Sequence, residues 1–259
     1  MKPTDWIPFL AAIADEADAI ALHHFQRASL RVDIKPDATP VSEADKAIEA
    51  ATRRLAAARH PELGILGEEE GETGSRDARL ILDPIDGTRN FIRGIPVFGS
   101  LLAVELEGEV VAGLVSAPAL TRRWHAAKGS GAWCGDRRIR VSNITRWNES
   151  LVLHGSLGGT EAAGEPPGLA ALLGSAGRTR GFGDFWQHLL VAEGCAEVAV
   201  DQRVAPWDIG PLLVIAEEAG GQATTLDGTR SIYGGSLVTS NARLHEAALD
   251  LLNSRSAEC

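Results

Sequence analysis

The hexapeptide Asp83-Pro84-Ile85-Asp86-Gly87-Thr88, which follows the apolar run Leu80-Ile81-Leu82, constrains this chain more than any other stretch. An apolar run that ends in an acid and a proline reads as a strand entering a turn, because the proline ring disfavours helical geometry at Asp83. Gly87 lets the backbone come close to a bound group. Thr88 adds a hydroxyl where the exposed N–H groups of a helical turn would begin. Such a turn offers carboxylates to hard cations and amides to an anion, the chemistry of metal-assisted phosphate hydrolysis. On its own the pair also fits a solvated turn, since Asp-Pro and Asp-Gly steps are common turn formers.

Other acids bear on that choice. Glu68 lies in Gly67-Glu68-Glu69-Glu70-Gly71, just after a short apolar run, where the rim of a sheet would be. Asp208 follows Trp207 at a helix start, and Asp45 stands three residues after Ser42 in a capping-box pattern. Each has a plainer reading as a solvated loop acid or a helix cap. Taken together, Glu68, Asp83, Asp86 and Asp208 all occupy ends of strands or helices, the rigid places from which a two-metal site draws its carboxylates. Oxygen donors without a Cys or His cluster point to Mg²⁺ rather than zinc. One ion would activate water and the other would stabilise the leaving alkoxide. The chain contains no G-x-S-x-G elbow, Walker A loop or H-E-x-x-H. The two acids of the hexapeptide are three apart, which disfavours the D-x-D phosphoaspartate mechanism.

Net charge is −10, which argues against nucleic acid as a partner. The same acidity would repel a phosphate unless divalent cations invert the local charge. At 259 residues, 44% hydrophobic and 23% charged, the composition is that of a globular enzyme with a substantial core. Three cysteines, Cys134, Cys195 and Cys259, show no CxxC spacing and read as free thiols in a reducing compartment. No signal-peptide layout opens the chain, and no apolar run reaches the roughly 20 residues that span a bilayer. The expected location is the cytoplasm, without membrane contact. The sequons at Asn143 and Asn148 then read as chance matches.

Helical spacing of Trp6, Phe9, Leu10, Ile13, Ala17, Ile20, Ala21 and Phe25 predicts an amphipathic helix over 5–28. A polar loop, Lys35 to Val41, precedes a second helix over 43–59. Short strands follow at Ile65-Leu66, Arg79–Asp83, Val97–Glu107, Glu109–Ala117, Arg122–Lys128 and Ile139–Val141, with a hairpin turn at Gly108. From about residue 150 strands and helices alternate. Strands Leu151–His154, Thr179–Phe182, Ala196–Val200 and Leu237–Thr239 are interleaved with helices Gly168–Leu173, Phe185–Glu193, Asp208–Ala219 and Ala242–Leu252. Glu161–Pro167 reads as a flexible loop. Residues 1–145 are thus expected to form an α+β half with an antiparallel sheet, and residues 146–259 an α/β half.

Asp83 through Phe91, with Gly67-Glu68-Glu69 upstream and Trp207-Asp208 downstream, resembles the Mg²⁺-dependent inositol monophosphatase family over nearly the whole chain. That resemblance implies the five-layered αβαβα sandwich of the inositol monophosphatase and fructose-1,6-bisphosphatase type, two to three Mg²⁺ per subunit, and a homodimer. Glu68, Asp83 and the Ile85 carbonyl would bind a first metal, and Asp83, Asp86 and Asp208 a second, with Glu68 sharing a third, weaker ion. Asp45 and Thr88 would orient and deprotonate the attacking water. Asp86, Gly87 and Thr88 would surround the phosphate. Lys35, Asp37 and Thr39 fall in the family's mobile loop.

Several stretches resemble the histidinol-phosphate phosphatases within this family: Asn90–Val97, Ser116–Leu120 with Arg122-Arg123-Trp124, and Gly183-Asp184-Phe185 before Leu190–Gly194. The implied substrate is a small-molecule phosphate monoester, L-histidinol phosphate of histidine biosynthesis. Inositol 1-phosphate, another sugar phosphate or a nucleotide monophosphate is the alternative. A regulatory metal-binding protein on the same fold is a different class of answer. Arg180, Asp184, Asp201 and Asp208 would contact the substrate. Asp184 stands where inositol enzymes have a small or hydroxyl residue, and a carboxylate there suits a cationic alcohol, although it also fits a helix cap. Asp201, seven residues before Asp208, replaces a glutamate of most relatives and is shorter by one methylene.

Overall fold

The computed structural model describes residues 1–27, 29–157 and 166–254. One 3-10 turn, Pro3–Trp6, leads into α1 (Ile7–His24), which buries Phe9, Leu10, Ile13, Ala14, Ala17 and Ala21. The helix expected over 5–28 stops at His24 because Phe25 turns extended and Gln26 takes a φ of 60°. A short antiparallel ribbon, β1 (Val32–Ile34) and β2 (Pro40–Ser42), delivers the chain to α2 (Glu43–Arg59).

The first sheet is built from β3 (Gly64–Gly67), β4 (Gly71–Thr73) and β5 (Ala78–Asp86), then, after the single-turn α3 (Thr88–Ile92), from β6 (Gly99–Leu106), β7 (Glu109–Ala117), β8 (Arg122–Ala127), β9 (Ala132–Cys134) and β10 (Arg137–Ile139). Its order is β10-β9-β8-β7-β6-β5-β3-β4, antiparallel except where β3 runs parallel to β5. Strands β6 and β7 turn at Glu107-Gly108, whose φ values of 51° and 80° suit a type I′ hairpin. Side chains alternate across this sheet. Leu80, Leu82, Leu102 and Val104 join Phe9, Leu10 and Ile13 on one face, while Ile81, Leu101 and Ala103 pack toward Ile209 and Leu213 on the other.

The second sheet contains β11 (Leu151–His154), β12 (Arg178–Gly181), β13 (Val198–Asp201), β14 (Gln222–Thr224) and β15 (Leu237–Ser240), in the order β12-β11-β13-β15-β14. Helices α4 (Leu169–Ser175) and α5 (Asp184–Ala192) connect its three parallel strands, and β15 runs antiparallel to both its neighbours. Helix α6 (Pro206–Glu218) buries every residue from Ile209 to Ala216, as a helix sandwiched between two sheets must. On the outer face α4 and α7 (His245–Asn253) set Leu169, Leu172, Ala248 and Leu252 against Val152, Val198, Val200 and Val238. The layers run αβαβα, as the resemblance implied.

Five strands, β1, β2, β4, β9 and β14, were not anticipated; at three residues each they are too short to display an alternation, and β2 lies at the end of the stretch expected as a polar loop. The strand expected at Ile139–Val141 is Arg137–Ile139, hydrogen-bonded back to β9. The loop expected at Glu161–Pro167 lies, as far as residue 165, outside the described residues, as does Cys259; Cys134 and Cys195 are free thiols.

Candidate active site

The end of β5 is not a regular strand. Asp83 pairs with Leu101 and Asp86 with Gly99, so Pro84 and Ile85 together stand opposite Ser100. This is a β-bulge. Pro84 has no amide to give the ladder, and its carbonyl accepts a hydrogen bond from Ser100 Oγ at 2.6 Å. In an unbroken strand, residues three apart face opposite sides. The extra residue corrects that parity and brings Asp83 and Asp86 together.

Gly87 follows with φ 80° and ψ 33°, a left-handed conformation, and starts α3. A Cβ there would lie 2.9 Å from the Val97 carbonyl oxygen, so the turn needs glycine for space as well as for φ. Thr88 Oγ1 lies 2.8 Å from the Ile85 carbonyl and 3.3 Å from Asp45 Oδ1. Asp45 arrives from the first turn of α2, where its Oδ2 accepts from the Ser42 amide at 2.8 Å and from Ser42 Oγ at 2.5 Å. The capping box therefore holds one oxygen of Asp45 and leaves the other toward Thr88. Asp208 does the same at the start of α6, with Oδ2 accepting from the Ala205 amide at 2.7 Å. For both acids the helix-cap role and a place in the site coexist.

Ligand oxygens of Asp83, Asp86 and Asp208 all lie within 4.8 Å of one another. Asp83 is 2% exposed, and its Oδ1 has no hydrogen-bond partner. Burial, and then the charges of Glu68, Asp86 and Asp208, hold the Asp83 carboxyl well above the usual carboxylate range. Burial, with Asp184 and Asp208 close by, does the same to Asp86 despite a 2.6 Å bond from the Phe185 amide. Asp208 is pushed up to about 7, chiefly by burial, with the Ala205 amide opposing the rise. Buried acids crowded without counter-charge are costly. An oxygen-only donor set with one orphaned carboxylate oxygen fits a hard divalent cation. Asp45 is pushed up to about 6, mainly by burial and against the two bonds from Ser42.

Glu68 sits in the turn between β3 and β4, and Lys35 reaches it: Nζ is 2.7 Å from Glu68 Oε1 and 2.8 Å from Glu69 Oε1. Burial works against the Lys35 ammonium, but the two carboxylates outweigh it and hold its pKa above the ordinary value. The turn itself is clamped by Glu49 of α2, fully buried, whose carboxylate accepts from the Glu69 and Glu70 amides at 2.9 and 3.0 Å. Arg53 neutralises Glu49 at 2.7 Å. Gly67 makes this approach possible, because a Cβ would lie 2.2 Å from Glu49 Oε1. Neither the Glu49 clamp nor the Lys35 contact was read from sequence. Glu49 and Arg53 carry only the i,i+4 signature of a surface ion pair.

Glu68, Asp83, Ile85, Asp86, Gly87, Thr88 and Asp208 line a cleft of about 1030 Å³, which also takes in Asp37 and Thr39 from the loop before β2 and Asp184 and Asp201 from the second half; Lys35 and Asp45 are not among its lining residues. Asp184, at a φ of 51°, begins α5, and its Oδ2 accepts from Asn90 Nδ2 at 2.8 Å. Asp201 ends β13 and is held by Gln187 and His188, two buried neighbours on α5 that sequence reasoning also missed. Arg180 stays outside this gathering. It is exposed on β12, and its Nη1 donates to the Thr179 carbonyl at 2.7 Å, while Gly181 to Phe185 line the cleft.

Among the described residues no helix is long and apolar enough to cross a membrane. Comparison with known proteins agrees with the geometry. A histidinol-phosphatase of Mycobacterium tuberculosis is 41% identical over 93% of this chain and 95% of its own length. An inositol-1-monophosphatase of Rhizobium meliloti is 32% identical, covering 86% of each. The solved structure of the extragenic suppressor protein suhB from Bartonella henselae superposes with a TM-score of 0.88 at 28% identity, covering 95% of this chain and 97% of that one. The sequence profile of the inositol monophosphatase family matches residues 2–257, and the chain belongs to that family.

Proposed function

We propose that the chain is a Mg²⁺-dependent phosphomonoesterase that hydrolyses L-histidinol phosphate to L-histidinol and phosphate in histidine biosynthesis. The observation that carries the reaction class is the convergence of Asp83, Asp86 and Asp208 within 4.8 Å around an unpartnered buried oxygen. Glu68, Asp83 and the Ile85 carbonyl would hold one Mg²⁺, Asp83, Asp86 and Asp208 a second, and Glu68 would share a third. Bound there, the ions supply Lewis-acid polarisation of the phosphoryl oxygens and lower the pKa of water.

The chain's own residues do the rest. Thr88 Oγ1, between the Ile85 carbonyl and Asp45, orients the nucleophilic water, and Asp45 takes up its proton. With a pKa of about 6, Asp45 is ionised at neutral pH yet basic enough for the task. The amides of Gly87 and Thr88 hold the phosphate. Asp184, beside Asp86 and Asn90, and Asp201, at the end of β13, face the leaving alcohol. Histidinol carries an ammonium and a titratable imidazole, so two carboxylates there match it better than they match a neutral polyol. The higher identity to the histidinol-phosphatase than to the inositol-1-monophosphatase supports the same choice. The reading includes a cytoplasmic location and a homodimer.

The test is phosphate release from histidinol phosphate, inositol 1-phosphate and a nucleotide monophosphate in saturating Mg²⁺. The expected result is a kcat/KM highest for histidinol phosphate. Equal turnover of the three would overturn the substrate assignment and leave the reaction class standing.

A further inference from the structure

The carboxylate of Asp201 is shorter by a methylene than the glutamate expected at this place, yet it is anything but loose. Its Oδ2 accepts from Gln187 Nε2 at 2.7 Å and lies 2.9 Å from His188 Nε2. Gln187 is 0% and His188 1% exposed, although the rest of α5 buries apolar groups such as Phe185, Leu189 and Val191. Behind the imidazole, His188 Nδ1 lies 2.8 Å from Thr239 Oγ1, fully buried on β15. A carboxylate only accepts, so Nε2 carries a proton toward Asp201, and a neutral ring then receives the Thr239 hydroxyl at Nδ1.

The other oxygen is treated differently. Gly155 lines the cleft at the end of β11, and a Cβ there would lie 2.8 Å from Asp201 Oδ1. Glycine leaves that oxygen its room. The Asp201 side chain remains 17% exposed while Oδ2 is occupied by two donors, so Oδ1 is the oxygen turned to the cleft.

We propose that Thr239, His188 and Gln187 form a positioning relay that locks Asp201, so that Oδ1 meets the cationic nitrogen of the leaving alcohol in one fixed geometry. This rests on the substrate reading above. Buried polar side chains are costly unless paired, and an apolar α5 face would fill the same space without that requirement. What the relay adds is a carboxylate whose direction is set before substrate arrives, which offsets its shorter reach. His188 reaches the cleft lining but is only 1% exposed, and in this proposal it acts through Asp201.

The experiment compares KM and kcat for histidinol phosphate and for 4-nitrophenyl phosphate, which has no cationic nitrogen. The variants are Asp201→Asn, His188→Phe, His188→Gln and the His188→Phe/Asp201→Asn pair. Asp201→Asn should raise KM for histidinol phosphate about tenfold, the scale of one charge-assisted contact, and by far more than for 4-nitrophenyl phosphate. His188→Phe should move the same ratio about fivefold, with kcat changing less than KM. His188→Gln, whose amide nitrogen can reach the Nε2 position, should restore it. The double variant should be no worse than Asp201→Asn alone. Should His188→Phe fail to fold, Thr239→Val carries the test with an expected two- to threefold change of the ratio, roughly one weakened link in the relay. An unchanged ratio in Asp201→Asn overturns the Asp201 contact and the relay with it. A shifted ratio in Asp201→Asn with none in His188→Phe or Thr239→Val overturns the relay alone. Equal effects of His188→Phe on both substrates also overturn it, by reducing His188 to a packing residue.

Discussion

The cleft carries two sets of carboxylates, a first wall and a second, that differ in the partners this chain gives them. On the first wall buried Asp83 and half-buried Asp86 and Asp208 crowd together, with Asp83 Oδ1 unpartnered and all three carboxyls pushed upward. On the second wall Asp184 and Asp201 each have side-chain amide donors from this chain, Asn90 for one and Gln187 for the other, with His188 beside Gln187. The first set is under-neutralised and needs positive charge from outside the chain. The second is already oriented by donors of this chain. The difference teaches where each part of the function resides: the first wall sets the reaction, the second sets the alcohol.

The largest expected effect breaks the first wall. Asp83→Asn removes a shared ligand and should lower phosphate release by about 10³-fold or more, since Lewis-acid stabilisation is worth several kcal/mol. The metal-free variant should melt no lower than the parent, because a like-charge contact has been relieved. A loss under tenfold would show that this wall does not drive the reaction.

On the second wall the effect is smaller and selective. Asp184→Asn should raise KM for histidinol phosphate roughly tenfold, the scale of one charge-assisted hydrogen bond, and change inositol 1-phosphate far less. An equal change for both substrates would leave Asp184 as the first residue of α5 and no more.

Acidity gives the mildest probe, and Asp208 on the first wall sets its range. Asp208, pushed up to about 7, must lose its proton before it can ligate. Apparent Mg²⁺ affinity, read by calorimetry, should therefore approach its full value by about pH 8 and fall roughly tenfold by about pH 6, the range set by that titration. Stability runs the other way in metal-free protein. Its raised carboxyls bind protons more tightly folded than unfolded, so melting temperature should climb as pH falls from 8 to 6. Saturating Mg²⁺ should abolish that climb. A metal-free melting temperature that falls on acidification would contradict the crowding of these acids.

Much of this was legible in the chain because the informative residues are local. Asp83 to Thr88 occupy one strand end and one turn, and Ser42 with Asp45 form a capping box within four residues. The αβαβα layering was implied by the family resemblance alone, and the apolar periods agreed with it. What stayed hidden depends on tertiary register. The bulge at Pro84-Ile85 requires knowing that Ser100 faces both residues, and without it a spacing of three predicts divergent acids. Glu49 resembles any helical surface acid until Gly67 is seen pressed against it. His188 and Gln187 look like ordinary polar helix residues, and only the packing of α5 on β13 and β15 turns them toward Asp201 and Thr239. Arg180 was counted with the substrate contacts; its side chain is exposed on β12, bonded to the Thr179 carbonyl, and is not among the residues lining the cleft.

The account stands most directly on the need of the first wall for a cation. Phosphate release from histidinol phosphate, followed continuously in Mg²⁺, after excess EDTA, and after Mg²⁺ is restored, measures that need. The account predicts turnover in Mg²⁺, none above background in EDTA, and full recovery on re-addition. Turnover that persists undiminished in EDTA would contradict it.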